Sequence, residues 1–210
     1  MMFAKGCLML GIALVATACS NTTTSTTSDT PQAAGSAISI LNQGGSMEGH
    51  TPTGFAGMGT GLFVGDNLNP SFPEGQGVQI YLTFSLPTDV EISGAAIISD
   101  VLTTAGAPFN DLGTLLAEPV VYQTFGPELF DLDASGDPVP CLVTGDSSVE
   151  CDVTAAVRSA IDRGQGTAQF RLRFERPADN DGQADLAMFY LTESNTNEAG
   201  LFTLELTATA

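Results

Sequence analysis

The sequence predicts an all-β protein, an antiparallel β-sandwich or jelly roll carrying one short α-helix. Three observations predict it. In residues 78–86, Val78, Ile80, Leu82, Phe84 and Leu86 alternate with Gln79, Tyr81, Thr83 and Ser85, the period of a strand with one face in a core. Phe170, Leu172 and Phe174 alternate with Arg171, Arg173 and Glu175 in the same way, as do Phe202, Leu204 and Leu206 with Thr203, Glu205 and Thr207. Gly, Pro, Asn and Asp then punctuate many short apolar segments, the spacing of a sandwich.

Taken in order, residues 38–41, 61–64, 78–86, 95–102, 118–124 and 139–143 read as strands, and 170–175, 186–192 and 202–207 follow. Segments 95–102 and 186–192 are more continuously apolar than the rest. Between them, residues 152–164 change period: Val153, Val157 and Ala160/Ile161 share a helical face. Asp152 or Thr154 can accept hydrogen bonds from the first free amides, and Gly164 can end the helix in a left-handed conformation.

Composition bounds the function. The chain has 210 residues, with 24 Asp and Glu against 6 Lys and Arg, a net charge of -18. Nucleic-acid binding needs a cationic surface, so it is excluded as an expectation. With 43% hydrophobic residues and 14% charged ones, the chain can bury a core of one domain. Lys5 precedes the apolar run 7–16, which ends in Ala16-Thr17-Ala18-Cys19, the layout of a secretory signal peptide. This segment resembles the lipobox of bacterial lipoproteins, with Ala16 where that family prefers Leu. The resemblance implies cleavage after residue 18 and a lipid on Cys19, which would anchor the protein to a membrane. Ser20, rather than the Asp that resembles an inner-membrane retention signal, implies an outer-membrane or surface location in a Gram-negative host. Residues 1–18 are thus the signal peptide, 19–37 a Thr/Ser-rich flexible tether and 38–210 the sandwich domain. After cleavage five arginines face 24 acids, a net charge of -19 without lysine, which suits a salty medium that screens self-repulsion.

Asp152-Val153-Thr154, Val157, the strand around Phe170-Arg171-Leu172, Ser194-Asn195 and the closing Leu204-Glu205-Leu206 together resemble the C-terminal half of DNRLRE-type modules. The strand 81–86 and the segment 91–95 are similar to the early region of that family, so the resemblance spans roughly residues 60–208. It implies an extracellular β-sandwich, similar to the non-catalytic carbohydrate-binding modules found beside polysaccharide-degrading enzymes. The chain departs from common sugar binders in having no Trp.

Several constellations carry chemistry. Cys141 and Cys151 flank a Gly-Asp turn and, in an oxidising compartment, are expected to close a hairpin with a disulfide. Asp131, Asp133, Ser135 and Asp137 place oxygens at alternate positions, as do Asp179, Asp181 and Asp185 in a second cluster. Both patterns suit Ca²⁺, and both equally suit solvated turns. No motif requires a cofactor. Arg171 and Arg173 share a strand face and offer a positive patch to a polysaccharide, or pair with nearby acids. Tyr81 and Tyr190 offer rings for sugar stacking, or sit at the rim of the core. His50 stands in a Gly-rich loop without a nucleophile elbow, so no catalytic residue is assigned. The expectation is a non-catalytic, envelope-anchored module binding glycan. The alternatives are a structural or adhesion module of the envelope and, last, a carboxylate-dependent polysaccharide hydrolase or lyase.

Overall fold

The computed structural model describes residues 35–38, 40–47, 53–55, 61–67, 76–88, 90–124, 129–190 and 201–209, with backbone course alone up to residue 55 and at Gln76. The signal peptide, Cys19, most of the tether, His50 and Ser194-Asn195 lie outside the described residues. The elements run β1 (Gly35–Ile38), β2 (Ile40–Met47), β3 (Thr53–Phe55), β4 (Leu62–Asn67), β5 (Gln76–Ser85), β6 (Ile92–Ser99), β7 (Leu102–Ala105), α1 (Pro108–Asp111), β8 (Leu115–Pro119), β9 (Val139–Thr144), β10 (Ser148–Asp152), α2 (Thr154–Asp162), β11 (Thr167–Phe174), β12 (Asp185–Phe189) and β13 (Thr203–Ala208). The fold is all-β, and every strand pairing among the described residues is antiparallel.

The strand order is β1-β13-β6-β10-β9-β8-β11-β5-β4-β12-β7, with β2 also on β5 and β3 on β2. One strand makes the corner. Val139 and Pro140 of β9 pair with β8, whereas Cys141 to Thr144 pair with β10. A strand that changes partners midway bends the sheet over onto itself. Proline suits the point of change because it has no amide to give to a ladder. The inward faces meet in one apolar core, with Ile97, Leu204, Leu206 and Val149 from one side and Ile80, Leu82, Phe84, Phe170, Leu172 and Phe174 from the other. The Phe84 and Phe170 rings lie 6.3 Å apart and those of Phe189 and Phe202 lie 4.6 Å apart. Burying each such side chain contributes about 1.5–3 kcal/mol.

Helix α2 forms where the period changed. Asp152 Oδ1 accepts the Thr154 amide at 3.0 Å. The Thr154 hydroxyl instead accepts the Ala95 amide at 2.9 Å, which ties the helix to β6. Val157 and Ala160 face the core. At the C-terminus Gly164, at φ 68°, donates to Ile161 O, and Gln165 donates to Ala160 O. These are the paired bonds of a Schellman stop, which needs a left-handed residue. A single extra turn, α1, starts on Pro108, whose fixed φ suits a first helical position.

Three boundaries differ from the sequence expectation. Segment 95–102 is two strands: β6 pairs with β10 and β13, while β7 pairs with β12 in the other half of the fold. The chain crosses over at Asp100, which is exposed; since both halves face the same core, the polar pair Ser99-Asp100 is the one interruption of an otherwise apolar segment. Segment 38–41 likewise divides between β1, on β13, and β2, on β5, and β1 begins at Gly35, inside the segment read as tether. Segment 118–124 leaves the sheet after Pro119.

Cys141 and Cys151 stand directly opposite in the β9–β10 register and form a disulfide, with Cα atoms 4.2 Å apart. The bond lies one residue past the corner and closes the loop that the hairpin spans. Reducing it, with a Cys141→Ser/Cys151→Ser double variant as control, is expected to lower unfolding stability by about 2–3 kcal/mol through loop entropy. Urea titration with and without reductant measures this, and the far-ultraviolet circular dichroism of the native state should be preserved.

Candidate ligand groove and acidic cluster

The outward face of β5 and β11 is where structure and expectation part most. Alternation correctly separates Gln79, Tyr81 and Thr83 from the core face, yet these residues are buried as well, Tyr81 completely. The segment after β8 covers them. Val120 N donates to Gln169 O, Ser135 N donates to Pro119 O, and the Tyr122 amide donates to Gln169 Oε1 at 2.9 Å. Tyr122 and Thr83 share a hydroxyl hydrogen bond of 2.8 Å, and the Tyr81 and Tyr122 rings meet edge to face at 5.8 Å. The Tyr81 hydroxyl lies between Gln79 Oε1, at 2.7 Å, and the Leu129 carbonyl, and can donate to one of them at a time. Burial pushes its pKa up to about 12. Tyr81 therefore does not present a stacking ring; it fastens the covering segment down.

Beside it, register builds an ion network. Tyr81 faces Arg171 across β5 and β11, and Arg171 faces Glu118 across β11 and β8. Arg171 Nε donates to Glu118 Oε2 at 2.8 Å, and Arg173 Nε donates to Glu118 Oε1 at 2.8 Å. Each carboxylate oxygen thus holds one guanidinium. Arg171 Nη1 also reaches Phe130 O at 3.2 Å, and Arg173 Nη1 reaches Phe174 O at 2.9 Å. Burial alone would raise the Glu118 pKa; hydrogen bonds from Arg173 and Arg171, and their charges, outweigh it and hold the carboxyl below its ordinary value. The expected pairing with acids is present, but buried rather than on an exposed face.

This network forms the floor of a groove of about 400 Å³ whose wall is the segment Phe130 to Ala134. Arg173, with 30% of its side chain exposed, faces solvent there, and Asp131 and Asp133 are exposed on the wall. The groove therefore brings together Arg171, Arg173, Asp131 and Asp133. Ser135 and Asp137 are exposed farther along the same loop. Arg158 donates to the Ile92 and Ser93 carbonyls and Arg163 to Ser159 and Gln165, so these arginines hold α2 in place. Tyr190 is 37% exposed and does not line the groove.

Asp179, Asp181 and Asp185 converge, each offering a carboxylate oxygen within 4.8 Å of the others; among the described residues Asp131, Asp133 and Asp137 form no such group. Glu118 and Asp66 are the members of these sites that the sequence reading missed. In the sequence Glu118 is only the first residue of the predicted strand 118–124, and Asp66 lies just past the predicted strand 61–64. Comparison with known protein families gives no match, and comparison with curated proteins gives none either.

Glu118→Gln leaves two guanidiniums without their counter-charge and is expected to destabilise the fold by about 3–5 kcal/mol. Because the folded pKa is depressed, the stabilisation is complete above the ordinary value of 4.5 and is lost as pH falls through the folded value. Urea midpoints measured across acid pH should show this loss in the parent chain and a flatter acid limb in the variant.

Proposed function

We propose that the protein is a lipid-anchored cell-envelope lipoprotein whose β-sandwich binds polysaccharide without cleaving it, using the groove over Glu118, Arg171 and Arg173. The observation that carries this reading is that one groove is lined both by Arg173, 30% exposed, and by the exposed carboxylates of Asp131 and Asp133, over a floor fixed by Glu118. Sugar hydroxyls both donate and accept, so a groove offering both suits vicinal diols. Counting Glu118, Asp131 and Asp133 against Arg171 and Arg173, the groove carries no positive excess, which favours a neutral glycan over a sulfated or uronic one. Phe130, half-buried at the wall, adds apolar surface for a sugar face.

Binding is preferred to hydrolysis because Glu118 has both oxygens held by guanidiniums. An acid kept ionised in this way has no proton to give a glycosidic oxygen. The envelope location rests on the leader and Cys19, and the disulfide supports an oxidising compartment.

A polysaccharide array probed with the full chain is expected to retain neutral glycans, with Arg173→Ala reducing retention about tenfold or more. No retention by the parent chain, or equal retention by a folded Arg173→Ala, would sink the groove reading. Separately, Cys19→Ala is expected to move the protein from the membrane pellet to the soluble fraction when cells are fractionated.

A further inference from the structure

The Asp179–Asp185 loop lies against a fourth acid that sequence spacing does not reveal. Asp66 of β4 stands directly opposite Asp185 of β12 in the antiparallel register, so the two side chains share one sheet face. Both are buried, Asp66 at 0% exposure and Asp185 at 2%. Neither Asp66 oxygen has a hydrogen-bond partner, nor does Asp185 Oδ2. Asp185 Oδ1 is taken by the Ala107 amide at 2.6 Å. Gly106 permits that approach, since a Cβ there would stand 2.3 Å from Asp185 Oδ1 and its φ is +68°. The Ala107 amide therefore holds one oxygen of Asp185 and the other has no partner, while Asp179, Asp181 and Asp185 each bring a carboxylate oxygen within 4.8 Å of the others.

Like charges directly opposite in a sheet repel, and buried carboxylates without donors are costly. The charges of Asp179 and Asp185 both act on Asp66, beside the Asp179 and Asn180 amides. Such an arrangement needs a counter-charge. The loop has the means to wrap one: Asn180 takes a left-handed conformation, φ 62°, and Asp179 and Asp181 each accept an amide two residues on.

We propose that Asp179, Asp181 and Asp185, with Asp66 behind them, bind one Ca²⁺. The donors are all hard oxygens, without the nitrogen or sulfur that zinc prefers. An irregular loop joined to two strands suits the loose coordination of calcium better than the strict octahedron of magnesium. The ion would pin the loop following Pro177, which lines one end of the groove, to β4 and β12. The proposal is independent of the groove reading.

The test is isothermal titration of the full chain, freed of metal with EDTA, using CaCl₂ alone, with thermal melts in parallel. One site per chain is expected, with a Kd no weaker than about 10⁻³ M, as for extracellular modules. Calcium should raise the melting temperature, EDTA should reverse the rise, and equal magnesium should do less. Asp181→Asn, at an exposed position, is expected to weaken calcium binding about tenfold or more, and Asp131→Asn to leave it unchanged. Asp66→Asn gives a reversal that a purely structural aspartate would not. In EDTA it should melt higher than the parent, because repulsion is relieved, yet gain less from calcium. Absence of heat and of any melting shift up to about 10 mM Ca²⁺ would overturn the proposal. So would calcium binding that both Asp181→Asn and Asp66→Asn leave intact. A melting temperature that rises on acidification but ignores calcium would also overturn it, showing that Asp66 and Asp185 share a proton instead.

Discussion

The pairing of Glu118 with Arg171 and Arg173 is the constraint on which the outer half of this molecule depends. A sandwich strand normally buries one face, yet β5 and β11 bury both. The second face carries Gln79, Tyr81, Thr83, Gln169, Arg171 and Arg173, none of which enters an apolar setting without cost. Register solves the problem locally. Because Arg171 lies opposite Glu118, and Arg173 is the next residue on that face, one carboxylate satisfies both guanidiniums. The covering segment then donates and accepts wherever the remaining side chains need partners. An apolar replacement of the whole triad of similar volume can be as stable. What the ions add is direction: Glu118 and the Phe174 carbonyl fix the Arg173 guanidinium, and the side chain stays 30% exposed at the groove.

The same logic, run without a cation, describes the facing acids of β4 and β12. There the strand register places Asp66 opposite Asp185, and no arginine stands between them. One pair of facing residues is neutralised by the chain itself, and the other is left to its surroundings. The two acid sites thus differ in kind: Glu118 is neutralised within the fold, and the Asp66–Asp185 pair has no counter-charge of its own among the described residues. A chain with six Lys and Arg for 24 Asp and Glu can neutralise few of its carboxylates internally.

Much of the fold was legible because alternation and core burial coincide along β5, β11 and β13, and because helical spacing is confined to one segment. The crossing between β6 and β7 was not legible, since residues 95–102 face one core from two sheets and only the polar pair Ser99-Asp100 interrupts the apolar run. The candidate sites were legible by residue type but not by partner. Arg171 and Arg173 share a face as their alternation implied, and Asp179, Asp181 and Asp185, read as one cluster of oxygen side chains, converge. Glu118 and Asp66 lie 53 and 119 residues away from Arg171 and Asp185, respectively. Only strand pairing brings them near, and neither carries a local motif.

The position of β1 has a mechanical consequence. This strand follows the tether and pairs only with β13 in the strand order, through four residue pairs from Gly35–Thr207 to Ile38–Leu204. An anchor at Cys19 would deliver any tension on the domain to this ribbon first. Tension along the strand axis loads its hydrogen bonds together, in shear, whereas tension across the axis peels them one by one. Release of β1 would lengthen the leash and expose the edge of β13 while leaving the β9–β10 disulfide and the groove untouched. With the anchor proposed at Cys19, the edge strand would act as a fuse, yielding under drag before the groove does.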